Sequence, residues 1–143
     1  MHQVAVIFWS GTGNTEAMAK AITEGVNKAG GEAQLFNVAD IHVDRAASYD
    51  NLILGCPSMG GEVLEEYEFE PFYTALEEKI NGKKIALFGS YGWGDGEWMR
   101  DWQTRVENHG GNLFEEGLII NDTPDTAGLA LCEAFGTRFV NSL

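Results

Sequence analysis

The sequence predicts an α/β fold, a doubly wound parallel sheet with helices on both faces. Three observations predict it. Five short apolar runs punctuate the chain, four of them almost unbroken. Segments of helical period lie between them. Loops rich in glycine and hydroxyls follow directly after the runs. A strand that is apolar at every position is buried on both faces, and such strands belong to a parallel sheet covered by helices. Strand and helix in alternation imply right-handed crossovers.

The elements follow in order. The first apolar run is Val4 to Trp9. A helix over Asn14 to Ala29 carries Met18, Ile22 and Val26 on one stripe, with Glu16, Lys20, Glu24 and Lys28 elsewhere. The second run, Ala33 to Val38, is more mixed. The third is Leu52 to Cys56. A helix over Phe69 to Ile80 repeats Phe72, Leu76 and Ile80, and Lys84 to Gly89 is the fourth run. Trp98, Trp102 and Val106 make the stripe of a helix over Trp98 to His109, so both tryptophans belong in the core. Leu113 to Ile120 is the fifth run. Thr123 is placed to cap the last helix with Pro124 at its first position, and Leu131, Cys132, Phe135 and Phe139 form its stripe.

The 143 residues suit one domain spanning 1–143, and 44% hydrophobic residues suffice for a core. Nine Lys and Arg against 22 Asp and Glu leave a net charge of −13. That charge argues against nucleic acid and anionic membrane surfaces and favours partners with a basic face. Cys56 and Cys132 form no metal or redox spacing and read as two buried thiols of a reducing compartment. The N-terminus lacks a basic segment followed by an apolar one, and no apolar stretch reaches about 18 residues, so a cytoplasmic location is expected.

In open α/β sheets ligands bind beyond the carboxyl ends of the strands. Three loops there are unusual. Ser10-Gly-Thr-Gly-Asn-Thr15 opens the first helix with two glycines, three hydroxyls and an amide, a phosphate cradle at a helix N-terminus. It has no Lys for a triphosphate loop, and Glu16 stands where a dinucleotide fingerprint needs glycine. Neutral donors in so acidic a chain favour one phosphate on a larger, apolar ligand. The second loop, Pro57-Ser-Met-Gly-Gly-Glu62, offers Met59. The third, Ser90-Tyr-Gly-Trp-Gly-Asp-Gly96, offers Tyr91 and Trp93. An indole between glycines is poorly supported for a core and well placed to stack on a flat ring, and a thioether suits the opposite face. Trp9 ends the first run and can face either way. His2, His42 and His109 fall in no catalytic or metal-like cluster and read as surface or structural residues.

Trp9-Ser-Gly-Thr-Gly-Asn-Thr-Glu16, Leu54-Gly-Cys-Pro-Ser-Met-Gly60 and Leu87-Phe-Gly-Ser-Tyr-Gly-Trp-Gly-Asp-Gly96 closely resemble the short-chain flavodoxins of anaerobic bacteria. The likeness extends over the whole chain, through Glu70-Pro-Phe72 and Trp98-Met-Arg100. It implies a flavodoxin-like five-stranded sheet of order 2-1-3-4-5, without the fifth-strand insertion of long-chain relatives, and a monomer with one non-covalent FMN. By this resemblance the cofactor-binding residues are Ser10, Gly11, Thr12, Gly13, Asn14 and Thr15; Pro57, Ser58, Met59, Gly60, Gly61 and Glu62; and Ser90, Tyr91, Gly92, Trp93, Gly94 and Asp95. Ser10, Thr12, Asn14 and Thr15 take the phosphate. Met59 and Trp93 flank the ring with Trp93 outermost, Glu62 reaches N3, and the amides of Gly92 and Trp93 face N1 and O2. No metal and no catalytic residue is implied.

The resemblance further implies a low-potential one-electron carrier, not an enzyme. It cycles FMN between semiquinone and hydroquinone and shuttles electrons between reductase donors and low-potential acceptors. A flavin-dependent reductase needs room for substrate over the ring, which Trp93 blocks. A response regulator needs a phosphoacceptor Asp after a strand, where Ser, Gly and Pro stand. The Gly60 carbonyl can accept the proton gained at N5 if the Gly60–Gly61 peptide flips, giving a type II turn with Gly61 at positive φ. Gly61 is a departure, since many relatives carry a polar residue there. The run Glu62 to Glu70 holds five Glu and no base, and reads both as a solvated helix start and as a docking face.

Overall fold

A computed structural model describes residues 1–143. The strands are β1 (Gln3–Phe8), β2 (Glu32–Asn37), β3 (Asn51–Gly55), β4 (Lys84–Tyr91), β5 (Asn112–Leu113) and β6 (Leu118–Asn121). The helices are α1 (Asn14–Lys28), α2 (Val43–Ala47), α3 (Phe69–Glu77), α4 (Glu97–Asn108) and α5 (Thr126–Asn141). The sheet is parallel throughout, in the order β2-β1-β3-β4-β5, with β6 also paired to β4.

Consecutive strand side chains point to opposite faces. Val4, Val6 and Phe8 therefore join Ile53, Ala86 and Phe88 against α1 and α5, where Met18, Ile22, Phe135 and Phe139 complete the cluster. Ala5 and Ile7 join Leu52, Leu54, Ile85 and Leu87 on the other face, against Phe69, Tyr73, Trp98 and Trp102. Both sets are buried, as the unbroken apolar runs require. The mixed run is β2, whose half-exposed pattern fits its place at the sheet edge. Cys56 and Cys132 are free and buried in different clusters. Burial pushes both thiols up, that of Cys132 to about 12, so neither is a nucleophile at neutral pH. No helix is long and apolar enough to cross a membrane.

Three sequence expectations are corrected. The fifth run is not one strand. Ile85 pairs Leu113 and Phe88 pairs Leu118, so β4 advances three residues while its partner advances five. The extra residues bulge out around Glu115, whose φ of 51° is left-handed. The last helix is capped by Asp125, whose carboxylate accepts the Gly128 amide at 2.7 Å, and not by Thr123. Pro124 keeps Thr123 out of helical conformation and delays the start. Leu131 is 57% exposed, because the buried stripe of α5 runs through Gly128, Cys132, Phe135, Gly136 and Phe139. The short α2 has no counterpart among the sequence expectations. It starts at His42, whose Nδ1 accepts the Asp44 amide at 3.1 Å, giving that histidine a capping role.

The approach of α1 to α5 depends on two glycines. A Cβ on Gly25 would run into the Glu133 carbonyl, and one on Gly136 into the Ile22 carbonyl. Alanine gains about 0.5–1 kcal/mol of helix propensity over glycine, but forcing these backbones apart costs about 1–3 kcal/mol. Gly25→Ala is therefore expected to lower the urea midpoint; a raised midpoint would show that the helices separate freely.

Candidate cofactor cleft

The sheet order reverses between β1 and β3, the switch point where open α/β sheets bind ligands. A cleft of about 320 Å³ opens there at the carboxyl ends of the strands. Trp9, Met59, Tyr91 and Trp93 give it apolar walls. Thr12, Asn14, Ser58, Ser90 and Asp122 give it polar atoms, and Gly11, Pro57 and Gly92 bring it close to backbone. No Lys or Arg lines it. A shallow hollow of about 400 Å³ at the opposite ends of β1 and β3 has neither convergent hydroxyls nor ring-sized apolar walls.

The first loop is folded by its own hydroxyls. Gly13, at φ 95°, turns the chain into α1. Ser10 Oγ accepts the amides of Gly13 at 3.1 Å and Glu16 at 3.3 Å, and Thr12 Oγ1 accepts that of Asn14 at 3.3 Å. Thr15 is buried, its hydroxyl 2.8 Å from Ser90 Oγ, and this contact locks the first loop to the third. A side chain at Gly11 would press on the Trp9 indole. Trp9 thus faces the cleft, with its N–H on Glu68 at 3.2 Å.

The second loop is a tight return. Met59 and Val63 exchange both backbone hydrogen bonds at 2.9 Å. Between them Gly60 has φ 51° and Glu62 has φ 57°, whereas Gly61 stays outside the left-handed region. The turn present is therefore not the type II turn, with positive φ at Gly61, that the sequence predicts for the flipped peptide. The Gly60 carbonyl accepts the indole N–H of half-exposed Trp93 at 3.2 Å. Glu62 does not line the cleft. Its Oε1 accepts the amides of Gly96 at 3.3 Å and Glu97 at 3.1 Å and so caps α4. Asp95 is turned to Arg100 at 2.9 Å. Trp98 and Trp102 are core residues, and the Trp98 N–H reaches the Cys56 carbonyl at 3.1 Å.

Of the residues expected from sequence, the cleft gathers Gly11, Thr12, Asn14, Pro57, Ser58, Met59, Ser90, Tyr91, Gly92 and Trp93. Ser10, Gly13, Thr15, Gly60, Gly61, Glu62, Gly94 and Asp95 shape or flank it without lining it. Asp122 escaped the sequence reasoning, although its place after the last strand satisfies the same rule that pointed to the other loops.

The acidic run separates into two roles. Glu65 is buried, and its carboxylate accepts the amides of Tyr67, Glu68 and Phe69, which makes it the lead-in cap of α3. Glu70 pairs with Arg105 at 2.8 Å. Only Glu66 and Glu68 stay exposed, beside Tyr67 at 86% exposure. Arg105 also binds Glu77 at 3.0 Å and lies over the Tyr73 ring. His109 joins this network as a structural residue, although the sequence places it in no cluster. Its Nδ1 meets the Arg105 carbonyl at 2.8 Å, its Nε2 lies 3.5 Å from Glu78, and Glu77, Glu78 and His109 form a compact group. Arg105 already occupies the Glu77 carboxylate, so that carboxylate is committed to an ion pair.

The Flavodoxin family profile matches residues 6–136. The chain is 49% identical over 136 residues to a flavodoxin of Clostridium beijerinckii, covering 95% of this chain and 98% of that one. It is 49% identical over 124 residues to a flavodoxin of Megasphaera elsdenii, covering 87% and 90%. The solution structure of the two-electron reduced Megasphaera elsdenii protein superposes with a TM-score of 0.87, at 46% identity and covering 96% and 98% of the two chains. Fold and cleft thus define a flavin-binding electron carrier. More particularly, this chain belongs to the flavodoxin family. It is an electron-transfer protein and not an enzyme, its cofactor is FMN, and it passes electrons to redox partners.

The residues present fit that cofactor. Ser58 Oγ is buried with no partner in the protein, and Ser58 lines the cleft. A buried hydroxyl without a partner calls for one, and at a cleft wall a ligand atom can supply it.

Burial pushes the Glu70 carboxyl up, but the Arg105 and Thr74 hydrogen bonds outweigh this and hold it below the ordinary range. A depressed folded pKa contributes stability that is present above the unfolded pKa and lost as pH falls through the folded one. In Arg105→Gln this contribution disappears. Acidification from neutral pH is then expected to lower the urea midpoint less than in the parent; equal slopes would refute the pairing.

Proposed function

We propose that residues 1–143 act as one FMN-carrying domain that shuttles single electrons at low potential, cycling the cofactor between semiquinone and hydroquinone. The observation that carries this reading is a cleft with hydroxyl donors, apolar ring-sized walls and no cation, at the switch point of the sheet. FMN supplies the redox chemistry; the chain supplies binding, orientation and electrostatics.

The first loop, Ser10 to Thr15, holds the phosphate with its hydroxyls, the Asn14 amide and the backbone N–H groups at the start of α1. Met59 and Trp93 cover the two ring faces, and the amides of Gly92 and Trp93 meet its polar edge. Gly11, Pro57, Ser58, Ser90 and Tyr91 complete the walls. Gly13, Gly60, Gly61, Glu62, Gly94 and Asp95 belong to the same set through the turns they build. The low potential follows from charge. Arg100 is committed to Asp95, Asp122 lines the cleft, and no base neutralises an added electron.

Trp93, Tyr67 and Val63 are exposed, and the exposed Glu66 and Glu68 flank Tyr67 in the chain. These carboxylates suit partners with a basic face, and the protein works as a cytoplasmic monomer. Two buried free thiols accord with a reducing compartment.

Titration of the purified full chain with FMN tests the cofactor reading: quenched flavin fluorescence at one equivalent is expected, and none would sink it. Ser58→Ala deletes a hydroxyl that has no partner in the protein, so stability should hold while FMN binds several-fold more weakly, as loss of about 0.5–1.5 kcal/mol implies. Unchanged affinity would take Ser58 out of the site. Changing Glu66 and Glu68 to Gln is expected to slow electron transfer to a basic partner, with the loss shrinking as salt screens beyond about 8 Å at 0.15 M. Equal rates at low salt would leave those residues as surface only.

A further inference from the structure

Besides the Ser58 amide on the Ser90 carbonyl at 3.0 Å, two side-chain interactions independent of any ligand tie the second loop to the third. One is the Trp93 indole N–H on the Gly60 carbonyl at 3.2 Å; the other is the Glu62 carboxylate on the amides of Gly96 and Glu97. The first tie fixes a particular peptide. Gly60 is at positive φ and Gly61 is not, with the Gly60 carbonyl toward Trp93. A type II turn over the same residues needs Gly61 at positive φ. Rotating the Gly60–Gly61 peptide brings Gly61 to positive φ but leaves Gly60 there too, a type I′ arrangement and not type II, and it swings the carbonyl off the indole.

We propose that Trp93 is a positioning residue for that peptide: its indole N–H holds the Gly60 carbonyl in the unflipped orientation and so opposes the first reduction step. This deepens the proposed function and rests on it. FMN, when bound, would supply the electron chemistry: one electron from a reductant with one proton from water would make its N5 a hydrogen-bond donor. If the flipped Gly60 carbonyl accepts a hydrogen bond from that N–H, the flip breaks the Trp93 bond, and the strength of that bond is subtracted from the driving force. Stacking and hydrogen bonding by Trp93 are then separable, the first acting on affinity and the second on the first potential. Gly60 and Gly61 both have open space where a Cβ would stand, so no neighbour packs against either position.

Trp93→Phe keeps a flat ring and deletes the donor. In a dithionite titration its first one-electron potential is expected to become more positive, by about 59 mV for each tenfold change in the flip equilibrium. The second potential should move less. Gly61→Ala penalises the flipped turn and should move the first potential the opposite way, and the double variant should lie between. A first potential in Trp93→Phe that is unchanged or more negative would overturn the proposal.

A second readout needs no reduction. The Gly60 carbonyl ¹³C and Gly61 amide ¹⁵N resonances of the full chain as purified should shift in Trp93→Phe more than those of Met59 and Val63. No such shift would refute the tie. Absence of FMN uptake by the parent would overturn the carrier reading instead, and the resonances would still decide whether Trp93 holds Gly60.

Discussion

Both faces of the central strands are dry, and the rest of the molecule follows from that constraint. β1, β3 and β4 alternate their side chains between two clusters that are each closed by helices. Neither face is left for chemistry. Only the strand ends remain, and parallel connection brings the loops after β1, β3 and β4 together on one edge. Once the sheet order reverses between β1 and β3, those loops have to splay apart and leave a gap. The cleft results from burying the sheet, and the glycines and hydroxyls make that unavoidable gap specific.

The few cations show how the electrostatics of the gap are kept negative. Lys28 pairs with Glu133, Arg138 with Glu115, Arg105 with Glu70 and Glu77, and Arg100 with Asp95. Arg45 lies over Phe36 and Lys84 over Phe114. Each of these serves helix packing or the sheet ends. Exposed pairs contribute little to stability. Their placement still matters, because none of these bases faces the cleft, where neutral donors and helix N-termini must hold an anion unaided.

Strands buried on both faces were legible because a short, continuous apolar run between helical segments fits a central strand and little else. The loops after them were legible because position and composition agreed. The misreadings share a cause. Whether Leu113 to Ile120 is one strand or two depends on the register of β4, a long-range quantity. Thr123 and Asp125 are both good caps, and the choice between them follows from how Pro124 and Gly128 sit. Glu65, Glu66, Glu68 and Glu70 look alike in a row. They divide by burial and by Arg105, which comes from another helix. The partners of His109 were hidden for the same reason. Glu62 and Trp93 were recognised as site residues, but their hydrogen bonds to other loops were not, because pairings between loops leave no periodicity.

Those pairings also account for how a strained turn persists beside a rigid sheet. Glu62 at φ 57° costs about 1–2 kcal/mol for a residue with a Cβ. Its carboxylate on the first amides of α4 returns an amount of that order through capping and the helix dipole. The Trp93 bond to Gly60, exposed to water, adds about 0.5–1.5 kcal/mol. The Glu62 terms are common to both orientations of the Gly60–Gly61 peptide, so the weak Trp93 bond is the term that separates them. An added hydrogen-bond donor of ordinary strength can then decide between them. The core could not supply such a balance, since its groups are locked by packing. A turn anchored at Met59 and Val63, braced by Glu62 and tied by one exposed indole, can change one peptide while the surrounding strands stay fixed.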